Sequence, residues 1–346
     1  MDRSSTHLSE IGTPSVIPTT KPQSIPNGLE IMDEVTPSIS TAASTGLSET
    51  RFVLVTPARN EEAFIERTIT SVIGQSLKPL KWVIVSDGST DGTNEILQRY
   101  ASKHCWIECV ILPPRNERHF AGKVQAFNNG YIKLKELDFD VIGSLDADIS
   151  FEDPDYFAFL LKKFTENPRL GVAGTPFRER GSQYDYRFSR KEHVSGACQL
   201  FRRECFDAIG GYLPLKMGAI DLVAVVTARM KGWTTETFPE KFCLHHRIMG
   251  SAKDHIVAAH FKSGYGDYLM GVHPMWQLFR SIYQMSRKPM ILGGFLLQVG
   301  YLWAWLKRAE KPVSIEFVQF RRREQMRWLK DLFRRALSPL GFPRTR

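Results

Sequence analysis

A chain of 346 residues with 42% apolar content is long enough for one large domain or two modest ones, and its composition is that of a folded enzyme. Its five cysteines, Cys105, Cys109, Cys198, Cys205 and Cys243, are odd in number and form no Cys-x-x-Cys pair, which argues against a disulfide framework or a zinc site and for a reducing, cytosolic setting. The net charge of +9 is uneven: residues 307–346 hold twelve Lys and Arg against four Asp and Glu, so the body of the chain lacks a nucleic-acid-like basic surface and no nucleic-acid partner is expected.

Residues 1–50 are rich in Ser, Thr and Pro, carry no apolar periodicity and are predicted to be disordered. They contain no apolar h-region, so no secretory signal is expected. Strand character begins at Arg51–Pro57, followed by a helix over about Glu61–Ser76, a strand at Lys81–Ser86, a helix over Asp91–Ala101, a strand at Trp106–Leu112, a helix over Lys123–Lys135 and a strand at Val141–Leu145. That rhythm predicts an α/β sheet with parallel pairing and right-handed crossovers. The order then loosens. Asp155–Glu166 reads as helix, Leu170–Phe177 and Ser195–Phe201 as strands, Arg203–Ile209 and Asp221–Lys231 as helices, and Thr234–Phe238 and Phe242–His246 as short strands. From Ser251 the chain is mainly helical and aromatic.

Several stretches carry chemistry. Val141-Ile-Gly-Ser-Leu runs straight into Asp146-Ala-Asp148, so two carboxylates stand at the carboxyl end of a buried strand, where open parallel sheets bind ligands. Carboxylates that close need a compensating cation, and hard oxygen ligands of this kind suit Mg²⁺ or Mn²⁺ carrying phosphates. Asp87 likewise ends an apolar strand and opens the turn Gly88-Ser-Thr-Asp91-Gly92, whose small residues let a flat base approach. Asp91 reads as the cap of the next helix. Lys123 follows Gly122 at a helix start, a place that favours anions, and fits either a phosphate contact or a solvated first-turn lysine. In Thr56-Pro57-Ala58-Arg59-Asn60-Glu61-Glu62, Arg59 and Glu61 are equally placed to pair with each other.

These four motifs, in this order, resemble the N-terminal half of family 2 glycosyltransferases, which implies an α/β GT-A fold, a doubly wound mixed sheet over about residues 51–250. By that resemblance Pro57, Arg59, Glu61, Asp87, Lys123 and Asp146 contact the nucleotide, with Asp87 accepting from the uracil ring. Asp148, Asp146 and a histidine near His245-His246 would hold the metal. Adjacent strand residues point to opposite faces, so only one of those histidines reaches the site, and His246 is expected to be the one. Ser195–Tyr212 resembles the segment lining the acceptor pocket. Gly218-Ala-Ile-Asp221 stands where the family has a Glu-Asp pair, with Ile220 replacing the Glu, so Asp221 is the expected general base as well as the N-cap of its helix. The resemblance implies an inverting transfer from a nucleoside diphosphate sugar, a UDP-sugar being favoured, to a glycan or polyprenyl-linked acceptor.

The remaining residues, 251–346, read as a helical, basic, membrane-associating extension. Met290–Leu306 is an apolar run flanked by Arg287, Lys288, Lys307, Arg308 and Lys311, which fits a segment lying in the cytoplasmic membrane interface better than one crossing it. A core helix is the competing reading. A basic amphipathic helix follows, carrying Arg321-Arg-Arg323 and Arg334-Arg335. A noncatalytic membrane-associated protein of the same fold, or a sugar nucleotidyltransferase, are the rival functions; the latter lacks its Gly-rich phosphate loop here.

Overall fold

The first strand, β1 (Phe52–Ala58), sends Phe52, Leu54 and Ala58 into one core and Val53 and Val55 into another. A strand apolar on both faces belongs in the middle of a sheet covered on both sides. The computed structural model describes residues 50–114, 120–179, 190–247, 256–287 and 289–337; all but the last residue of the segment expected to be disordered lies outside them.

After β1 come α1 (Ile65–Ile73), β2 (Lys81–Asp87), α2 (Thr93–Ala101), β3 (Ile107–Leu112), α3 (Phe120–Ile132), β4 (Val141–Leu145), β5 (Ile149–Ser150) and α4 (Tyr156–Glu166). The chain continues through β6 (Leu170–Gly174), β7 (Phe177–Glu179), β8 (Cys198–Arg202), α5 (Arg203–Ile209), α6 (Ile220–Met230), β9 (Thr234–Thr237) and β10 (Cys243–His245). The main sheet runs β3-β2-β1-β4-β8-β6-β9. Its first four strands are parallel, and β8 enters antiparallel between β4 and β6. A small sheet, β5-β10-β7, stands beside it.

Two expected elements change shape. The stretch Leu170–Phe177 splits at Thr175-Pro176 into β6 and β7, which join different sheets; proline has no N–H to continue a ladder. The helix expected from Glu61 starts at Ile65, since the Glu61 N–H is spent on Thr93 Oγ1 at 2.8 Å and its carbonyl closes a turn onto Phe64 and Ile65.

The C-terminal region is α7 (Ile256–Leu269), α8 (Pro274–Met285), α9 (Met290–Leu306) and α10 (Ile315–Leu337). None of the described helices is long and apolar enough to cross a membrane. Small residues let α9 pack at close range: a Cβ added to Gly300 would stand 2.1 Å from the Phe261 carbonyl oxygen of α7, and one on Gly294 would stand 2.2 Å from that of Ser281 in α8. The basic α10 turns back onto the sheet domain. There Glu324 accepts from Arg229 Nε at 2.8 Å and Nη2 at 3.0 Å, and both side chains are 15% exposed. Arg229 Nη1 also donates to the Glu192 carbonyl at 2.9 Å and Thr235 Oγ1 at 3.0 Å, so one guanidinium joins α10, α6, β9 and the loop before β8. Glu324→Ala, which strands that charge, is expected to cost about 3 kcal/mol in denaturant unfolding, and the Arg229→Met, Glu324→Leu pair to recover most of it. Equal losses for the single and double variants would show that the pair itself supplies the stability.

Candidate active site

Chain order reverses between β1 and β4, and open α/β sheets bind ligands beyond the carboxyl ends of the strands at such a point. Pro57 lies near the end of β1, Asp87 closes β2 with 6% exposure, and Asp146-Ala-Asp148 follows β4. The loops after β1 and β2 are laced together: Asn60 N donates to Ser89 Oγ at 3.1 Å, and Thr90 N to Asn60 Oδ1 at 2.8 Å. Arg59 sits half-buried in the first of these loops. Asp91 accepts from Thr93 N at 3.1 Å, a capping bond, although the N-cap position itself is Gly92.

The Asp-x-Asp tip is held by its backbone. Thr68 Oγ1 of α1 donates to the Ala147 carbonyl at 2.8 Å, Asp146 N donates to the Ala197 carbonyl at 3.0 Å, and His246 N to the Asp148 carbonyl at 2.9 Å. Pairing of β10 with β5 brings the two histidines here and decides between them. His245 Nε2 lies 3.6 Å from Asp148 Oδ2, and its Nδ1 lies 3.3 Å from Glu179 Oε1. The His246 ring turns away, its Nε2 2.7 Å from Ser150 Oγ and its face stacked on Phe64. The two adjacent histidines do face opposite ways, but with the phase opposite to that expected, because register is a property of the pairing and not of the strand alone. Glu61 accepts from Arg247 Nη2 at 2.5 Å, and Arg247 Nε lies 3.2 Å from Asp148 Oδ2.

Lys123, on the inner face of α3, reaches Asp146 Oδ1 at 2.5 Å. Burial alone would push its ammonium towards neutrality, but the carboxylates of Asp146, Asp221 and Asp148 outweigh that and hold its pKa above the ordinary lysine value. Burial pushes the Asp146 carboxyl up more than Lys123 pulls it down, and neighbouring Asp148 adds to the rise. The carboxylates of Asp146, Asp148, Glu61 and Asp221 outnumber the two cations among them, Lys123 and Arg247, so the cluster is short of positive charge. His245 Nε2 is too far from Asp148 for a hydrogen bond, and the hydrogen-bonding capacity of its buried Nδ1 is unmet. No cluster of three metal-ligating side chains converges among the described residues. That suits Mg²⁺ or Mn²⁺, which take one or two carboxylates and complete their shell with substrate phosphates and water. Asp148, with Asp146 beside it, offers the one or two carboxylates that such a cation takes, and His245 Nε2 stands 3.6 Å from Asp148 Oδ2.

A cavity of about 560 Å³ opens from this tip. Lys123, Asp146, His245, Asp221, His193 and Gly196 all line it. Asp221 is not the N-cap: Ala219 takes that place with a left-handed φ of 62°, and Asp221 lies in the first turn of α6 with its carboxylate on the cavity. The wall facing it comes so near that a Cβ on Gly196 would stand 3.0 Å from Asp221 Oδ2. Fully buried Gln199 pins that wall by donating to the Val194 carbonyl at 3.0 Å, while accepting from Tyr212 Oη at 2.8 Å. His193 escaped the sequence reading, since it stands in a loop with no periodic pattern; burial pushes its imidazole down towards the neutral form against the pull of Asp221.

The strand order, the switch-point crevice and the carboxylate tip define a GT-A fold. Residues 53–218 match the family described as Glycosyl transferase family 2. Over 118 residues the chain is 30% identical to the poly-beta-1,6-N-acetyl-D-glucosamine synthases of Staphylococcus epidermidis and of Staphylococcus aureus strain COL. The match covers 34% of this chain and 26% of theirs, so it spans about a quarter of the length of these curated relatives. Among solved structures, the mannosyltransferase PcManGT from Pyrobaculum calidifontis, in complex with GDP-Man and Mn²⁺, shares the fold with a TM-score of 0.52 at 19% identity over 84% of each chain.

Proposed function

We propose that the protein is an inverting glycosyltransferase that moves a sugar from a nucleoside diphosphate sugar, a UDP-sugar by preference, to a hydroxyl of a glycan or polyprenyl-linked acceptor. The observation that carries this reading is a cavity lined by Lys123, Asp146 and His245 together with Asp221. Asp87 accepts from the base, and Lys123 holds the Asp146 end of the donor site. Pro57, Arg59 and Glu61 shape the strand end that the nucleotide meets, and Arg247 fastens Glu61 to Asp148. Asp148 and Asp146, with His245 beside them, would hold a divalent cation, which would supply charge neutralisation for the departing diphosphate. Asp221 takes the acceptor hydroxyl proton as that oxygen bonds to the anomeric carbon; the bond to the diphosphate breaks on the opposite face, and the nucleoside diphosphate leaves with the electron pair. The acceptor side faces a membrane, on which the protein is peripheral at the cytoplasmic face.

Titration calorimetry with UDP and Mn²⁺ tests the donor half. Asp87→Ala is expected to weaken UDP at least tenfold, about 1.4 kcal/mol or more, through loss of a hydrogen bond to a buried carboxylate. GDP serves as the competitor, because the fold relative named above was crystallised with GDP-Man. Unchanged UDP affinity in Asp87→Ala, or a preference for GDP, removes the uracil contact from the mechanism.

A further inference from the structure

Helix α9 is built inside out for a soluble protein. Its small residues, Gly293, Gly294, Gly300 and Ala304, are turned inward together with Leu297 and Tyr301, and most of its other large apolar side chains face outward. Ile291 is 72% exposed, Leu306 66% and Phe295 56%, and Leu302 and Trp303 share that side. On neighbouring α8, Met275, Leu278 and Ile282 repeat the pattern at helical spacing, each between 45% and 58% exposed. Tight packing through small residues with large apolar side chains turned outward is the arrangement of helices that meet lipid. Isolated exposed apolar residues are ordinary, but a patch extending along two adjacent helices marks an interaction surface.

Charge identifies the occupant. From Tyr268 to Ala309 the sequence holds no acidic residue, while Arg287, Lys288, Lys307 and Arg308 are basic; Arg280 is paired with Asp267. Arg287 precedes α9 and Lys307 and Arg308 follow it, all exposed, with Lys307 Nζ 5.0 Å from the Trp303 ring centre. A second copy docked here would bring like charges together, whereas an anionic lipid headgroup layer complements them. The anchor is not the arginine run of α10 as a whole: Arg321 Nη1 donates inward to the Met270 carbonyl at 2.8 Å and Arg322 Nε to that of Gly271 at 3.1 Å. The same region touches the acceptor side, since a Cβ on Gly266 of α7 would lie 3.4 Å from Met217 Cε, in the loop that leads to Asp221.

We propose that the outward faces of α8 and α9 seat the protein on an anionic bilayer, with Phe295, Leu302 and their neighbours entering the acyl boundary and the flanking basic residues meeting lipid phosphates. It rests on the membrane-face reading above and narrows it to one surface. Flotation of the full chain with phosphatidylcholine vesicles containing about one-third phosphatidylglycerol tests both. The parent is expected to float with these vesicles and to be released only in part by salt. Phe295→Glu with Leu302→Glu is expected to weaken binding at least tenfold, and so is Met275→Glu with Ile282→Glu, each keeping parental UDP affinity as the check on folding. If both double variants fold and float like the parent, the α8–α9 face is wrong while membrane binding stands. A parent that stays unbound overturns both. A parent dimer dispersed by Phe295→Glu, without vesicle binding, makes this face a contact between copies and overturns the proposal.

Discussion

Asp221→Asn is expected to lower turnover about a hundredfold or more while leaving UDP affinity near that of the parent. The substitution is nearly isosteric, and Asp221 does not cap α6, so the helix start held by Ala219 is kept. What is lost is, among the described lining residues, the one carboxylate not tied to a lysine, since Asp146 is engaged by Lys123 at 2.5 Å. Ile220, where the family has a glutamate, is 7% exposed and offers no substitute. The only other neutral-pH proton acceptor we find on that wall, among the described residues, is His193, which burial keeps towards the neutral form. Steady-state kinetics of Asp221→Asn and His193→Gln therefore separate two bases. Retained turnover in the first with a hundredfold loss in the second would transfer the role to His193.

Asp148→Ala is expected to reduce transfer about a thousandfold, the several kcal/mol that cation stabilisation of a leaving group supplies. Asp148 Oδ2 is the point on which His245 and Arg247 converge, at 3.6 and 3.2 Å. Its loss leaves Arg247 still paired with Glu61, so the loop after β1 keeps its tether and the fold should survive. Mn²⁺ binding in the presence of UDP, followed by electron paramagnetic resonance, provides a readout independent of turnover. Parental Mn²⁺ affinity in Asp148→Ala would exclude this carboxylate as a ligand. His245→Ala is expected to weaken Mn²⁺ and His246→Ala to leave it unchanged, which sets the histidine exchange reported above against a measurement.

The apolar strand cores, the alternation with helices, and the carboxylates at strand ends are all local patterns, and the sequence alone determined them: β1, β2, β4 and α5 lie within a residue or two of their expected bounds. The Asp146-Ala-Asp148 tip and Asp87 were legible for the same reason, since a run of buried residues ending in a carboxylate encodes both the strand and its exit. Tertiary structure alone decided which histidine faces Asp148, because the phase of β10 depends on its register with β5. It alone joined Glu61 to Arg247, residues separated by 186 positions, and brought His193 onto the cavity with Asp221. The apolar run 290–306 shows both limits at once. Its composition announced a helix with basic ends, but whether glycines or large side chains turned inward was a question of packing. At Gly294 and Gly300 the approach of α8 and α7 leaves no room for a Cβ, so the inward face is built around glycines with Leu297 and Tyr301 beside them, and Ile291, Phe295, Leu302 and Leu306 are left outside.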